Sequence, residues 1–344
     1  MMPRIVSIFS GAGGIDCGFR MAGFETIFAN DNWGVACDSF KKNYPNADVV
    51  CDSIANVDFN SIKEKFGEID GLVGGPPCPP FSKERFYLKD KKRGIDDESG
   101  YLTVSNYFRA LDELRPRFFL FENVSGFTFK PHKAAMEMLE SETKRLHYRI
   151  TYRVVNAANY GVPQIRQRFI CVGVRDSYSQ FVFPDEDHAE QPEFDRLPWV
   201  TCKEAIGDLD YPLPEDKDKQ AGSKDRELLK LVPPGQNYLY FTAERGYPNP
   251  IFKWRSRYWS FLLKLSPDKP SWTIQASFSN NQGPFHWRNR FLRINEIKRI
   301  QTFPDDYILT GNFSDQWRQV GNAVPPLLIE KIALAIRTQY FNGI

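Results

Sequence analysis

The stretch GGPPCPPFS, residues 74–82, sets one thiol, Cys78, among Pro76, Pro77, Pro79 and Pro80. Proline fixes its own φ and restricts the residue before it, so this loop has few conformations open to it. A thiol framed in that way is aimed, which suits a nucleophile; without the frame a solitary cysteine reads as a small buried hydrophobe. A second candidate is Glu122 in FENV, residues 121–124, at the end of an apolar run. It is either a surface carboxylate at a strand end or a buried one, whose pKa then rises toward that of a useful acid. The third is GVPQIRQRFICVGV, residues 161–174. A strand starting near Gln164 turns Gln164, Arg166 and Arg168 to one face, where two guanidiniums can hold a phosphate or a base carbonyl, or form an edge salt bridge.

A ligand site is suggested by FSGAGGIDCGF, residues 9–19, which follows a β-like run and opens a helix. Its glycines would bring a ligand close to backbone amides at a helix N-terminus, although the spacing is not G-x-G-x-x-G. Asp31 closes the next β-like run, about twenty residues on, where a ribose-binding acid is expected. Asp52 follows in DVVCD. Together these point to a nucleoside; separately they read as a tight turn and two solvated aspartates. QVGNAVPP, residues 319–326, reads as a turn before a last amphipathic helix.

The elements that must position these groups alternate along the first half. RIVSIF precedes GIDCGFRMAG, ETIFAN precedes GVACDSFKKNY, and RFFLFEN follows YLTVSNYFRALDEL. Such alternation predicts α/β architecture, a parallel sheet covered by helices. After about residue 180 the chain turns Pro-rich, aromatic and charged, so a second, irregular region interrupts the first, which the helix at 325–341 rejoins. The 344 residues carry a formal charge of +2, too little to identify a partner. Local clusters say more: KDKKRG, KWRSRYW and HWRNRFLR mix cations with aromatics, as a nucleic-acid surface or a solvated face would. Six scattered cysteines form no C-x-x-C pair and no histidine lies at ligand spacing, so neither a zinc site nor a disulfide framework is expected. No stretch reaches membrane-spanning length, and a cytoplasmic location is expected.

In this order, FSGAGGIDCGF, GGPPCPPFS, ENV, NAANYGVPQIRQRF, RIQTFPDDY and GNAVPP closely resemble the motifs of the DNA (cytosine-5) methyltransferases, above all the compact bacterial enzymes of restriction-modification systems. The resemblance spans nearly the whole chain. It implies a doubly wound, Rossmann-like S-adenosylmethionine-dependent methyltransferase sheet, residues 1–184 completed by 289–344, with a smaller irregular target-recognition domain over 185–288. It implies that Cys78 adds to carbon 6 of a flipped-out cytosine, while Glu122 bonds ring nitrogen 3 and the exocyclic amine, and Arg168 with Arg166 holds the ring carbonyl. Cofactor contacts fall on Phe9, Ala12 and Gly14, on Asp31 for the ribose and Asp52 for the adenine, on Pro77 and Leu102, and on Asn322, Ala323 and Val324.

Duplex DNA is the implied partner, with Ser82, Arg255, Arg257 and Gln275 as candidate contacts. A monomer working beside an endonuclease of the same specificity, without a metal, is expected. Four positions depart from the family pattern: Pro79 after the nucleophile, Asn32 and then Trp33 where an aromatic follows the ribose acid directly, Ser99 before Gly100, and Asn295 before Glu296. The competing readings are a tRNA cytosine-5 methyltransferase, whose Cys-Phe-Thr element is absent here, and a catalytically silent DNA-binding regulator, against which Cys78, Glu122 and the arginines argue.

Overall fold

The computed structural model describes residues 2–77, 98–192, 195–217, 225–277 and 279–341. Its first half runs β1 (Arg4–Ile8), α1 (Gly14–Met21), β2 (Glu25–Asp31), α2 (Gly34–Asn43), β3 (Asp48–Cys51), α3 (Phe59–Phe66), β4 (Gly71–Gly74), α4 (Glu98–Leu114) and β5 (Phe118–Val124). Then come α5 (Lys133–Arg145), β6 (Tyr148–Asn156), β7 (Gln164–Ile165) and β8 (Gln167–Arg175). Seven strands form one sheet in the order β3-β2-β1-β4-β5-β8-β6. The order reverses between β1 and β4, and in such sheets the crevice beyond the carboxyl ends of those two strands is where ligands bind.

The expected parallel sheet is correct for β1 to β5 and wrong for β8, which runs antiparallel to both β5 and β6. The cause is the connection: residues 157–166 are too few for the crossover that a parallel neighbour requires. The strand expected to begin near Gln164 is also divided. Gln164–Ile165 pairs with β11 (Ser271–Trp272), and the long strand starts only at Gln167.

Alternation along the central strands feeds two cores. Phe119 and Phe121 join Val6, Ile8, Leu72 and the α4 residues Val104, Phe108 and Leu111 on one face. Phe118 and Leu120 join Ile5, Val73, Phe19 of α1 and the apolar stripe Leu328, Ile332 and Ile336 of α10 (Pro326–Tyr340) on the other. Near-continuous apolar runs in β4 and β5 are what burial on both faces demands.

The second half contributes β9 (His188–Ala189), β10 (Leu197–Pro198), α6 (Cys202–Ile206), α7 (Arg226–Leu231), α8 (Ile294–Ile300) and α9 (Phe313–Asn322). Leu229, Tyr238, Phe241, Phe261, Phe285 and Phe291 form a further core there. Gly321 and Asn322 end α9, so the turn read at GNAVPP narrows to Ala323–Pro325. Ion pairs fasten the start of α8 both to the residues just before it and to the 207–216 segment. Glu296 takes two bonds from Arg290 at 2.7 and 2.8 Å, and Arg293 Nε donates to Asp216 Oδ1 at 3.0 Å. Among the described residues no helix is long and apolar enough to cross a membrane.

Beneath the glycine loop, α1 is fastened to the sheet by Asp16, which accepts from Ser7 Oγ of β1 at 2.9 Å and Thr26 Oγ1 of β2 at 3.0 Å. Burial pushes its pKa up to about 6, against the pull of those hydroxyls. The folded chain therefore binds a proton between pH 3.8 and about 6 that the unfolded chain releases, and stability from this group falls as pH rises through that window. In denaturant titrations across pH 3 to 7, wild type and Asp16→Asn are expected to run closest on the acid side, where Asp16 is neutral like the amide, and to separate toward neutrality as the wild type loses roughly 3 kcal/mol relative to the variant.

Candidate active site

At the carboxyl end of β5, Glu122 stands opposite Ile170 of β8, and Val124 opposite Arg168, which puts Glu122 and Arg168 diagonally across the antiparallel seam. Arg168 Nε lies 2.9 Å from Glu122 Oε1, with both side chains nearly buried. Burial raises the Glu122 pKa, and the charges of Arg168 and Arg166 oppose that rise without cancelling it. The carboxyl's affinity for a proton is thus greater than an exposed glutamate's, the direction that favours sharing a proton with a ring nitrogen.

Two residues that the sequence reading passed over position this acid. A Cβ on Gly75 would fall 2.5 Å from Glu122 Oε2, so the carboxylate occupies the space that the missing side chain leaves. Asn123 Nδ2 donates to Pro76 O at 3.3 Å, tying the start of the proline loop to the strand that carries the acid. Both lie inside motifs already singled out; what concealed them was the absence of any chemistry in a glycine and an amide. Cys78 and Ser82 lie outside the described residues.

The two arginines are not given one task. Arg166 is buried and divides its donors among backbone carbonyls far apart in sequence: Ile274 at 3.0 Å, Gly321 at 2.8 Å and Ala323 at 2.9 Å. It joins β7, the segment after β11 and the end of α9, while Arg168 faces Glu122.

Most of the expected nucleoside contacts converge at the crevice. Phe9 takes a left-handed φ of 53°, turning the chain out of β1. Gly11 N donates to Asp31 Oδ2 at 2.8 Å and Trp33 N to Asp31 Oδ1 at 2.9 Å, so two backbone amides fix this carboxylate. The carbonyl of Ala12 accepts from Tyr307 Oη at 2.5 Å. A Cβ on Gly14 would meet Val324 O at 2.7 Å and Ala323 Cβ at 2.9 Å, so the chain's last turn packs directly on its first. Asp52 N donates to Asp31 O at 3.1 Å, and its exposed carboxylate accepts from Ser53 N and Asn56 Nδ2. Asn322 is exposed beside Ala323; Pro77 and the half-exposed Leu102 stand where the described chain stops and resumes.

The candidate DNA contacts are placed apart. Arg255 and Arg257 lie in an exposed run with Trp254, Tyr258 and Trp259. Arg255 has a left-handed φ of 54°, and its guanidinium sits 5.9 Å from the Trp254 ring. Arg257 covers Phe252 and Phe261. Gln275 instead lies against α9, its carbonyl accepting from Trp317 Nε1 at 2.9 Å. Among the described residues, no group of three or more His, Cys, Asp or Glu side chains could hold a metal.

Residues 3–338 match the family described as C-5 cytosine-specific DNA methylase. The chain belongs to this family. It is 38% identical to the Type II methyltransferase M.SacI of Streptomyces achromogenes, over 97% of this chain and 93% of that one. It is 32% identical to the Type II methyltransferase M.NgoFVII of Neisseria gonorrhoeae, over 97% and 86%. Among solved structures, a DNMT2 mutant of Spodoptera frugiperda superposes with a TM-score of 0.67 at 18% identity, covering 97% of this chain and 99% of that one. As a C-5 cytosine-specific methylase it transfers a methyl group to carbon 5 of cytosine in DNA, and S-adenosylmethionine is the donor of the family. The crevice fits that donor. Asp31, fixed by two amides, keeps lone pairs for a ribose diol, and a Cβ on Gly11 would find nothing within 4 Å, leaving open space beside the loop.

The Gly75 contact is directly testable. Gly75→Ala is expected to displace the Glu122 carboxylate from Arg168 and slow tritiated-methyl transfer into DNA by roughly a hundredfold, with an unchanged circular dichroism spectrum. A rate close to wild type would show that the acid tolerates displacement.

Proposed function

We propose that this methylase modifies one cytosine within a short duplex sequence through a covalent adduct to Cys78. The observation that carries the assignment is the buried Glu122–Arg168 pair, 2.9 Å apart, on the strand whose Asn123 ties down Pro76, two residues before Cys78. The Glu122 carboxyl, its affinity for a proton raised by burial, shares a proton with ring nitrogen 3, and Arg168 takes the ring carbonyl. Both withdraw electrons from the ring, so a thiolate can add to carbon 6 and carbon 5 becomes nucleophilic. Bound S-adenosylmethionine supplies the methyl group. Loss of the proton from the methylated carbon 5 then reforms the ring double bond and expels the Cys78 thiolate.

In this reading Phe9, Ala12, Gly14, Asp31, Asp52, Pro77, Leu102 and Asn322 to Val324 hold the donor. Arg166 supports the site by joining its three segments. The target base is flipped out of the duplex, because carbon 6 cannot be reached inside the stack. Residues 185–288 read the target, with the exposed cations at 253–257 on phosphates and Ser82 and Gln275 as further DNA contacts. The enzyme acts as a monomer, without a metal, and protects DNA against an endonuclease of the same specificity.

Conversion-based methylation sequencing of a methylation-deficient bacterial host expressing the chain is expected to give complete 5-methylcytosine at one short sequence. The modification should be absent with Cys78→Ala. An unmodified genome from a soluble, cofactor-binding protein would overturn the assignment to DNA. Arg255→Ala with Arg257→Ala is expected to weaken DNA binding at every sequence tested and to lower the slope of log affinity against log salt by about 2. Unchanged binding would remove these residues from the interface.

A further inference from the structure

Trp33 sits one position later than the aromatic that directly follows the ribose acid in the family pattern, and the structure shows where the displaced ring goes. It stands at the N-cap of α2, half-buried, with the Arg318 guanidinium carbon 4.4 Å from its ring centroid. Arg318 belongs to α9 and lies one helical turn before Asn322, on the same face. It is exposed and forms no ion pair among the described residues. The backbone N–H of Trp33 is one of the two that fix Asp31, the other being that of Gly11.

Resting on the cofactor reading above, we propose that Arg318 is a positioning residue for the ribose-binding acid, acting through Trp33. The stacked cation restrains the indole and hence the N-cap of α2. The N-cap amide then holds the Asp31 carboxylate turned toward the ribose hydroxyls. Because the cation comes from α9, the link also couples the ribose acid to the Asn322–Val324 turn, so the cofactor's two walls, from opposite ends of the chain, set together. A cation over an indole at an exposed site is worth about a two- to fivefold change in an equilibrium constant.

Isothermal titration of the full chain with S-adenosylhomocysteine and with its 3′-deoxyribose analogue tests this. Arg318→Ala is expected to raise the Kd for S-adenosylhomocysteine roughly two- to fivefold, with Arg318→Lys restoring most of it. The decisive readout is the ratio of the two Kd values. Removing the 3′-hydroxyl should weaken binding to wild type far more than to Arg318→Ala, since both changes disable one ribose contact. Equal effects in the two proteins, or a loss of DNA affinity with cofactor affinity intact, would overturn the proposal. A wild type that binds no S-adenosylhomocysteine would overturn it together with the cofactor assignment, whereas binding by wild type with additive losses would overturn the role of Arg318 alone.

Discussion

A carboxylate buried against one guanidinium is the constraint around which the catalytic end of this protein is arranged. Glu122 can lie where water does not reach only because Arg168 stands 2.9 Å away and Gly75 has no side chain to occupy its place. Desolvating a charge is expensive, and pairing it in good geometry offsets that expense while leaving the pKa above its ordinary value. The antiparallel entry of β8 makes the pairing possible. A parallel neighbour would present its carboxyl end at this edge of the sheet; β8 presents its beginning, where Arg168 lies.

The same edge gathers the remaining groups by topology. Reversal of strand order between β1 and β4 opens the crevice, and the glycine loop after β1 and residues 75–77 after β4 lie at that end of the sheet. The far end of the chain completes the wall. Gly14 packs on Ala323 and Val324, Tyr307 bonds Ala12, and Arg166 fastens the turn after α9 to β7 and to Ile274. The buried arginine is thus a joint that holds the second half of the chain against the first, and its bonds to three backbone carbonyls make that joint specific in geometry.

Much of the site was legible in the sequence because its cues are local. Prolines around Cys78, glycines at a strand-to-helix turn and an acid closing an apolar run each express a torsional or solvation preference within a few residues. The unread parts are those without a local signature. β6 is an edge strand with a mixed burial pattern, and α8 and α9 are short helices whose apolar residues serve a core shared with α2, α6 and Leu265.

By itself the sequence determined the α/β class and the order of the motifs, since periodicity and spacing are properties of the chain alone, and the resemblance of those motifs pointed to the family. Tertiary structure decided the direction of β8, the separate duties of Arg166 and Arg168, and the partner of Trp33. Each depends on groups brought from far along the chain: Arg166 finds its acceptors at 274, 321 and 323, and Trp33 finds its cation at 318. A side chain's type states what it can bond, but which of those bonds forms is settled by what folding places beside it.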